Sequence, residues 1–166
     1  VANRTQYSNL LNGVVHLPHT HIPSKNSFSW GQPKFGSEKA DALLDIINFH
    51  GKDSIAAVIV EPVAGSTGVL VPPIGYLEKL RQICTDHSIL LIFDEVITGF
   101  GRLGDSFASN RFKVFPDLIT MAKGITNATV PMGAVGATSE IYNTIYKKNK
   151  DTIELFHGYT YSGHPL

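Results

Sequence analysis

Two short apolar runs, each ending in ionisable residues, constrain this chain more than anything else in it. Ile55-Ala56-Ala57-Val58-Ile59-Val60 runs into Glu61-Pro62, and Ile89-Leu90-Leu91-Ile92-Phe93 runs into Asp94-Glu95. Continuous apolar runs of this length read as strands buried on both faces. Between them, Pro73 to His87 carries Leu77, Leu80, Ile83 and Cys84 at helical spacing behind Pro72-Pro73. Another helix is predicted from Ser37, whose side chain caps the first turn. Ala40, Leu43, Leu44, Ile46 and Ile47 are its apolar stripe, and Gly51 stands just past its end. Leu118-Ile119-Thr120-Met121 reads as a short strand ending in Ala122-Lys123-Gly124, and Met132 to Ala137 as one more. Ser139 to Lys148 is a last helix, capped by Ser139. Residues 1–36 read as loops, with one short strand around Val14-Val15-His16-Leu17. Strands alternating with helices predict an α/β fold with a mainly parallel sheet flanked by helices.

At 166 residues, against about 150 per domain, one domain is expected. Fourteen Lys+Arg balance fourteen Asp+Glu, which argues against nucleic acid and anionic membrane surfaces as partners. Hydrophobic residues make up 43% of the chain, enough for a packed core. The longest apolar run, Ile55 to Val60, falls far short of the ~20 residues of a membrane-spanning helix. Cys84 is the single cysteine and reads as a small buried thiol, so a reducing, cytoplasmic setting is expected. The start at Val1-Ala2-Asn3-Arg4 has no features of a signal peptide. With no initiator Met, and an end at Pro165-Leu166, the chain is expected to be a piece of a longer protein.

Ligands of open α/β sheets sit beyond the carboxyl ends of the strands. Glu61, Asp94 and Lys123 fall at three such ends. A lysine on a tight turn beside apolar strands can lose solvent, which makes its neutral amine available for a Schiff base. A carboxylate nearby, Asp94, suits the ring nitrogen of pyridoxal phosphate, for which Lys plus Asp is a common protein pairing.

At these residues a family resemblance enters. Phe93-Asp94-Glu95-Val96-Ile97-Thr98-Gly99-Phe100-Gly101-Arg102, followed by Ile119-Thr120-Met121-Ala122-Lys123-Gly124, resembles the signature region of class III (ω-) aminotransferases, pyridoxal phosphate enzymes of fold type I. Glu61-Pro62-Val63-Ala64-Gly65-Ser66-Thr67-Gly68-Val69 resembles the strand end that precedes it in the family. His16-Leu17-Pro18-His19-Thr20-His21 and the segment from Phe156 to Pro165 are similar to the β-alanine (ω-amino acid)–pyruvate branch.

The resemblance implies that residues 1–166 are part of the large cofactor-binding domain. It also implies ping-pong transfer of an amino group from an ω-amino acid or amine to pyruvate. Lys123 would hold the cofactor as a Schiff base and shuttle the proton, and Asp94 would pair with the pyridine nitrogen. Val96, two residues along an extended segment from Asp94, would pack on the ring face. Thr160, with the backbone at Tyr159, would bind the cofactor phosphate of the neighbouring subunit, making a homodimer or higher homo-oligomer the active unit. Glu61 would stand near the substrate, beside an arginine lying beyond residue 166. Many class III enzymes have Gln at the position of Ile97, and its replacement fits the ω-amino acid–pyruvate branch. Because family chains are more than twice this long, the isolated chain is expected not to turn over.

Other readings fit less well. Other class III activities (4-aminobutyrate, diamine or aminomutase type) share these motifs, and an inactive fragment keeping only the fold is a further alternative. Gly99-Phe100-Gly101-Arg102-Leu103-Gly104 matches a dinucleotide-binding GxGxxG. Five residues, however, separate its first Gly from the strand, and no convincing helix opens after it. His16, His19 and His21 fix no common face and have no carboxylate or Cys nearby, so no metal site is expected there. Gly65-Ser66-Thr67-Gly68 lacks the Gly-Lys-Ser/Thr ending of a P-loop and reads as a plain turn.

Overall fold

The structure, a computed structural model, describes residues 5–7, 9–148, 153, 155–158, 160 and 163–165. A one-turn helix α1 (Pro23–Asn26) is followed by a 3-10 turn (Ser37–Asp41) leading into α2 (Ala42–His50). Then come β1 (Ala57–Val60), α3 (Tyr76–Asp86), β2 (Leu90–Asp94), α4 (Ala108–Phe112), β3 (Leu118–Met121), β4 (Ala134–Ala137) and α5 (Ser139–Lys148). The strands form one sheet in the order β1-β2-β3-β4. β1–β2 and β2–β3 are parallel, and β4 runs antiparallel to β3. The mainly parallel α/β sheet is therefore present, with α3 bridging β1 and β2 as parallel pairing requires.

Both long core helices follow from their apolar spacing. In α2, Leu43 and Ile47 are one turn apart and buried, and Gly51, at φ +80°, ends the helix with its N–H on the Ile47 carbonyl at 2.8 Å. In α3, Leu77, Leu80, Ile83 and Cys84 line the buried side. These side chains pack on Val58, Leu91 and Phe93, which share one face of the sheet in register. Fully burying side chains of this size contributes about 1.5–3 kcal/mol each. An ion pair, Lys79 to Asp41 at 2.6 Å, joins α3 to the 3-10 turn, but its side chains are too exposed for it to add much.

Several expectations are corrected. The β1 and β2 segments are buried on one face only among the described residues: Ile59 is 61% exposed, and Val135, on the same face of β4, is 63% exposed. Ser37 caps nothing. It opens a 3-10 turn behind Gly36 (φ +119°), and it is the Glu38 carboxylate that accepts the Gly36 N–H. The helix expected from Pro73 starts only at Tyr76, because Gly75 takes a left-handed conformation at its cap. At α5, Thr138 rather than Ser139 reaches the first-turn N–H of Ile141, at 3.5 Å. No strand forms at residues 14–17, where Val14 and Val15 are both exposed. Gly65 to Gly68 is the expected turn, closed by reciprocal Ala64–Leu70 hydrogen bonds.

Candidate active site

Because β1, β2 and β3 are neighbours pointing the same way, the residues at their carboxyl ends share one edge. Glu61 follows β1, Asp94 ends β2, and Lys123 lies two residues past β3. This is the convergence expected from the sequence. Tyr159 lies outside the described residues. Thr160 is exposed on the segment after α5, and among the described residues no hydrogen bond joins it to this edge.

Asp94 is half-buried, and its Oδ1 accepts the Val96 N–H at 3.1 Å. Among the described residues its Oδ2 receives no hydrogen bond. The hydrogen bond also shows that the segment after Asp94 is not extended. Val96 to Phe100 is a turn, and the Gly99 N–H closes it on the Glu95 carbonyl at 2.9 Å. A carboxylate that accepts an N–H two residues on favours such a turn. The alternation that put Val96 on the same side as Asp94 therefore does not hold.

Glu95, missed from sequence, is fully buried. Its Oε1 accepts the Ser109 N–H at 2.9 Å, and its Oε2 accepts the Ala108 N–H and the Thr98 hydroxyl at 2.5 and 3.0 Å. A buried carboxylate needs this many donors. The signal available in the sequence was its position directly after Asp94, where strand alternation turns successive side chains to opposite faces.

Lys123 opens a 3-10 turn with φ +43°, a left-handed conformation few non-glycine residues adopt. It is exposed, so the desolvation expected for its amine is not supplied by the described residues. Glu61 is half-buried and turned back on its own loop, its Oε2 accepting the Gly65 N–H at 2.9 Å. Ile97 packs over the α-carbon of Gly65, where a Cβ would overlap its Cδ1.

Thr120 was also missed. It is the register partner of Asp94, and its hydroxyl is buried without a hydrogen-bond partner among the described residues. An orphaned hydroxyl beside a carboxylate with a free oxygen, three residues before a lysine, fits a polar ring seated on this edge. The donor set is one that pyridoxal phosphate can use. No group of three or more possible metal ligands forms among the described residues. His19 and His21 are joined by a hydrogen bond from the His21 backbone N–H to the His19 side-chain Nδ1 at 2.9 Å. No helix among the described residues is long and apolar enough to cross a membrane.

Comparison with known proteins places the chain in a family. Residues 3–166 match the family described as aminotransferase class-III. An omega-aminotransferase of Caulobacter vibrioides is 62% identical over 99% of this chain, which spans 37% of that protein. A beta-alanine–pyruvate aminotransferase of Pseudomonas aeruginosa is 53% identical, again over 99% of the chain and 37% of the relative. The solved omega transaminase of Pseudomonas jessenii in complex with PMP superposes with a TM-score of 0.83 at 31% identity, covering 96% of this chain and 35% of that one. The chain thus spans little more than a third of the proteins it matches.

Proposed function

The chain belongs to the class-III aminotransferases, and on that premise we propose that residues 1–166 form part of the large cofactor-binding domain of an enzyme that moves an amino group to pyruvate. The donor is an ω-amino acid such as β-alanine, or an amine. What carries this reading is the meeting of Asp94, with one oxygen free, the orphaned Thr120 hydroxyl and Lys123 at one sheet edge. The similarity to an enzyme named for β-alanine and pyruvate supports the choice of substrates.

When bound, pyridoxal phosphate supplies a ring that takes up the electron pair left on the donor carbon. Lys123 would be the amine that tethers the cofactor; once released, its Nζ would take the proton from the donor carbon and return it to the cofactor carbon on the far side of the shared nitrogen. Asp94 would hold the proton on the ring nitrogen, and Val96, from the turn after Asp94 and on the family resemblance rather than on strand alternation, would cover the ring face. Thr160, with the backbone at Tyr159, binds the phosphate of the partner subunit's cofactor, so a homodimer is the smallest working unit. Glu61 acts on the substrate side through its remaining oxygen. In the second half of the cycle the same residues work in reverse on pyruvate. The exposure of Lys123 in this chain supports the expectation that the 166-residue piece alone does not turn over; a rate near that of an intact relative would overturn it.

The test is borohydride reduction of the intact protein with pyridoxal phosphate, followed by peptide mapping. Label confined to Lys123, and lost in Asp94→Ala, is the expected result. Label scattered over surface lysines would overturn the assignment.

A further inference from the structure

We propose that Phe100 is a positioning residue that holds the backbone of Lys123, and that Glu95 seats Phe100 for this role. The inference rests on the reading of Lys123 as the cofactor lysine and names what keeps it in place.

The turn that carries Lys123 is strained. Its φ of +43° is unfavourable for a lysine. The turn's own hydrogen bonds, Ile125 N–H to the Ala122 carbonyl at 3.1 Å and Thr126 N–H to the Lys123 carbonyl at 3.4 Å, are both internal to it. Something outside must over-determine the conformation. The next residue, Gly124, lies flat against Phe100: a Cβ on it would stand 2.9 Å from the Phe100 Cβ and 3.3 Å from the ring. Only glycine admits this approach.

Phe100 is itself held by two contacts in a left-handed backbone conformation. Its φ is +59°, its N–H donates to the Ser106 carbonyl at 2.7 Å, and its ring meets Phe107 edge-on with centroids 5.2 Å apart. Phe107 is the residue before α4, and the first two N–H groups of that helix end on the Glu95 carboxylate. One continuous set of contacts therefore runs from Glu95 through α4, Phe107 and Phe100 to Gly124 and Lys123. Glu95 is also bonded covalently to Asp94. The loop between β2 and α4 thus sets the proton-holding carboxylate and the lysine relative to each other.

Two readouts test this in the intact protein. The first is the rate of borohydride-trapped labelling of Lys123 by pyridoxal phosphate across a pH series; the second is amide hydrogen exchange at Ile125 and Thr126, the two bonded amides of the turn, without cofactor. Phe100→Ala is expected to slow Lys123 labelling by about tenfold or more at every pH. Exchange should rise at both amides, while the thermal midpoint changes little because Phe100 is 43% exposed. Phe100→Leu should restore labelling to within about threefold. Gly124→Ala approaches the contact from the other side and should show the same loss; it decides the matter should Phe100→Ala fail to fold. Labelling and exchange at unsubstituted rates in a folded Phe100→Ala or Gly124→Ala protein would overturn the proposal. Absence of Lys123 labelling in the unsubstituted protein would instead overturn the assignment of the lysine, leaving the exchange measurement to decide the contact.

Discussion

Asp94 and Thr120 stand opposite each other on neighbouring parallel strands and, among the described residues, the carboxylate has one oxygen free and the hydroxyl is buried with no partner. Their backbones are locked at this point by the Glu95 N–H, which donates to the Thr120 carbonyl at 3.0 Å. A buried unpaired hydroxyl carries a desolvation penalty that a methyl group of the same shape does not. Thr120→Val is therefore expected to raise unfolding stability by about 1 kcal/mol without cofactor, and at the same time to weaken retention of pyridoxal phosphate. Urea unfolding and cofactor titration check the two signs. Loss of stability without cofactor would mean that the hydroxyl already has a partner.

Arg81 and Leu91 converge on Asp117. The Arg81 guanidinium and the Leu91 N–H each reach its Oδ2 at 2.7 Å, and the Asp117 N–H returns to the Leu91 carbonyl at 2.8 Å. The carboxylate thus anchors the start of β2 as well as pairing a charge. Asp117→Ala leaves a strand N–H unpaired and strips the half-buried Arg81 guanidinium of its charge partner, leaving it only the Thr85 hydroxyl at 3.1 Å, and should cost about 2–3 kcal/mol. Arg81→Ala leaves the N–H satisfied and should cost about 1 kcal/mol. Equal losses in urea unfolding would show that the ion pair alone matters.

Gly65 and Ile97 are interlocked, the isoleucine filling the space a Cβ at position 65 needs. Gly65→Ala should destabilise by about 1–2 kcal/mol through overpacking. Ile97→Val removes the Cδ1 that meets the new methyl, so the double variant should recover most of that loss. A double-mutant cycle measures the coupling, and strictly additive losses would show that the loop simply moves aside.

Much of this architecture was legible in the sequence because periodicity reports burial. The spacing of Leu77, Leu80, Ile83 and Cys84 gave α3, and the runs at 55–60 and 89–93 gave β1 and β2. The mainly parallel sheet and the shared edge of Glu61, Asp94 and Lys123 followed from alternation of element types, whereas the strand order and the antiparallel β4 came from the structure. What was not legible depends on long-range or local hydrogen bonding. Glu95 and Asp94 are adjacent acidic letters, yet one is buried under three donors and the other faces the open edge. The turn at Val96 follows from a single side-chain acceptor, and the cap of α5 moved by one residue for the same reason. Glycines 65 and 124 read as loop punctuation, whereas each accommodates a large side chain brought in from elsewhere.

Cys84 makes the stability of the fold depend on pH in the alkaline range. Its side chain is fully buried at the α3–sheet contact, and burial pushes the thiol from its ordinary 9.0 up to about 11, with Arg81 drawing it down and Asp117 raising it. Between these values the folded chain keeps a proton that the unfolded chain releases. Stability from this group is therefore complete below pH 9 and declines as pH rises toward about 11, by about 2–3 kcal/mol in all. Burial also raises the Tyr76 phenol, which adds a loss of the same sign. Cys84→Ala isolates the thiol: the variant should be less stable than the parent at pH 7, and the gap should close as pH rises. Urea unfolding at pH 7, 9 and 10.5 measures that gap. Parallel curves for the two proteins would mean that the thiol ionises without leaving its packed position.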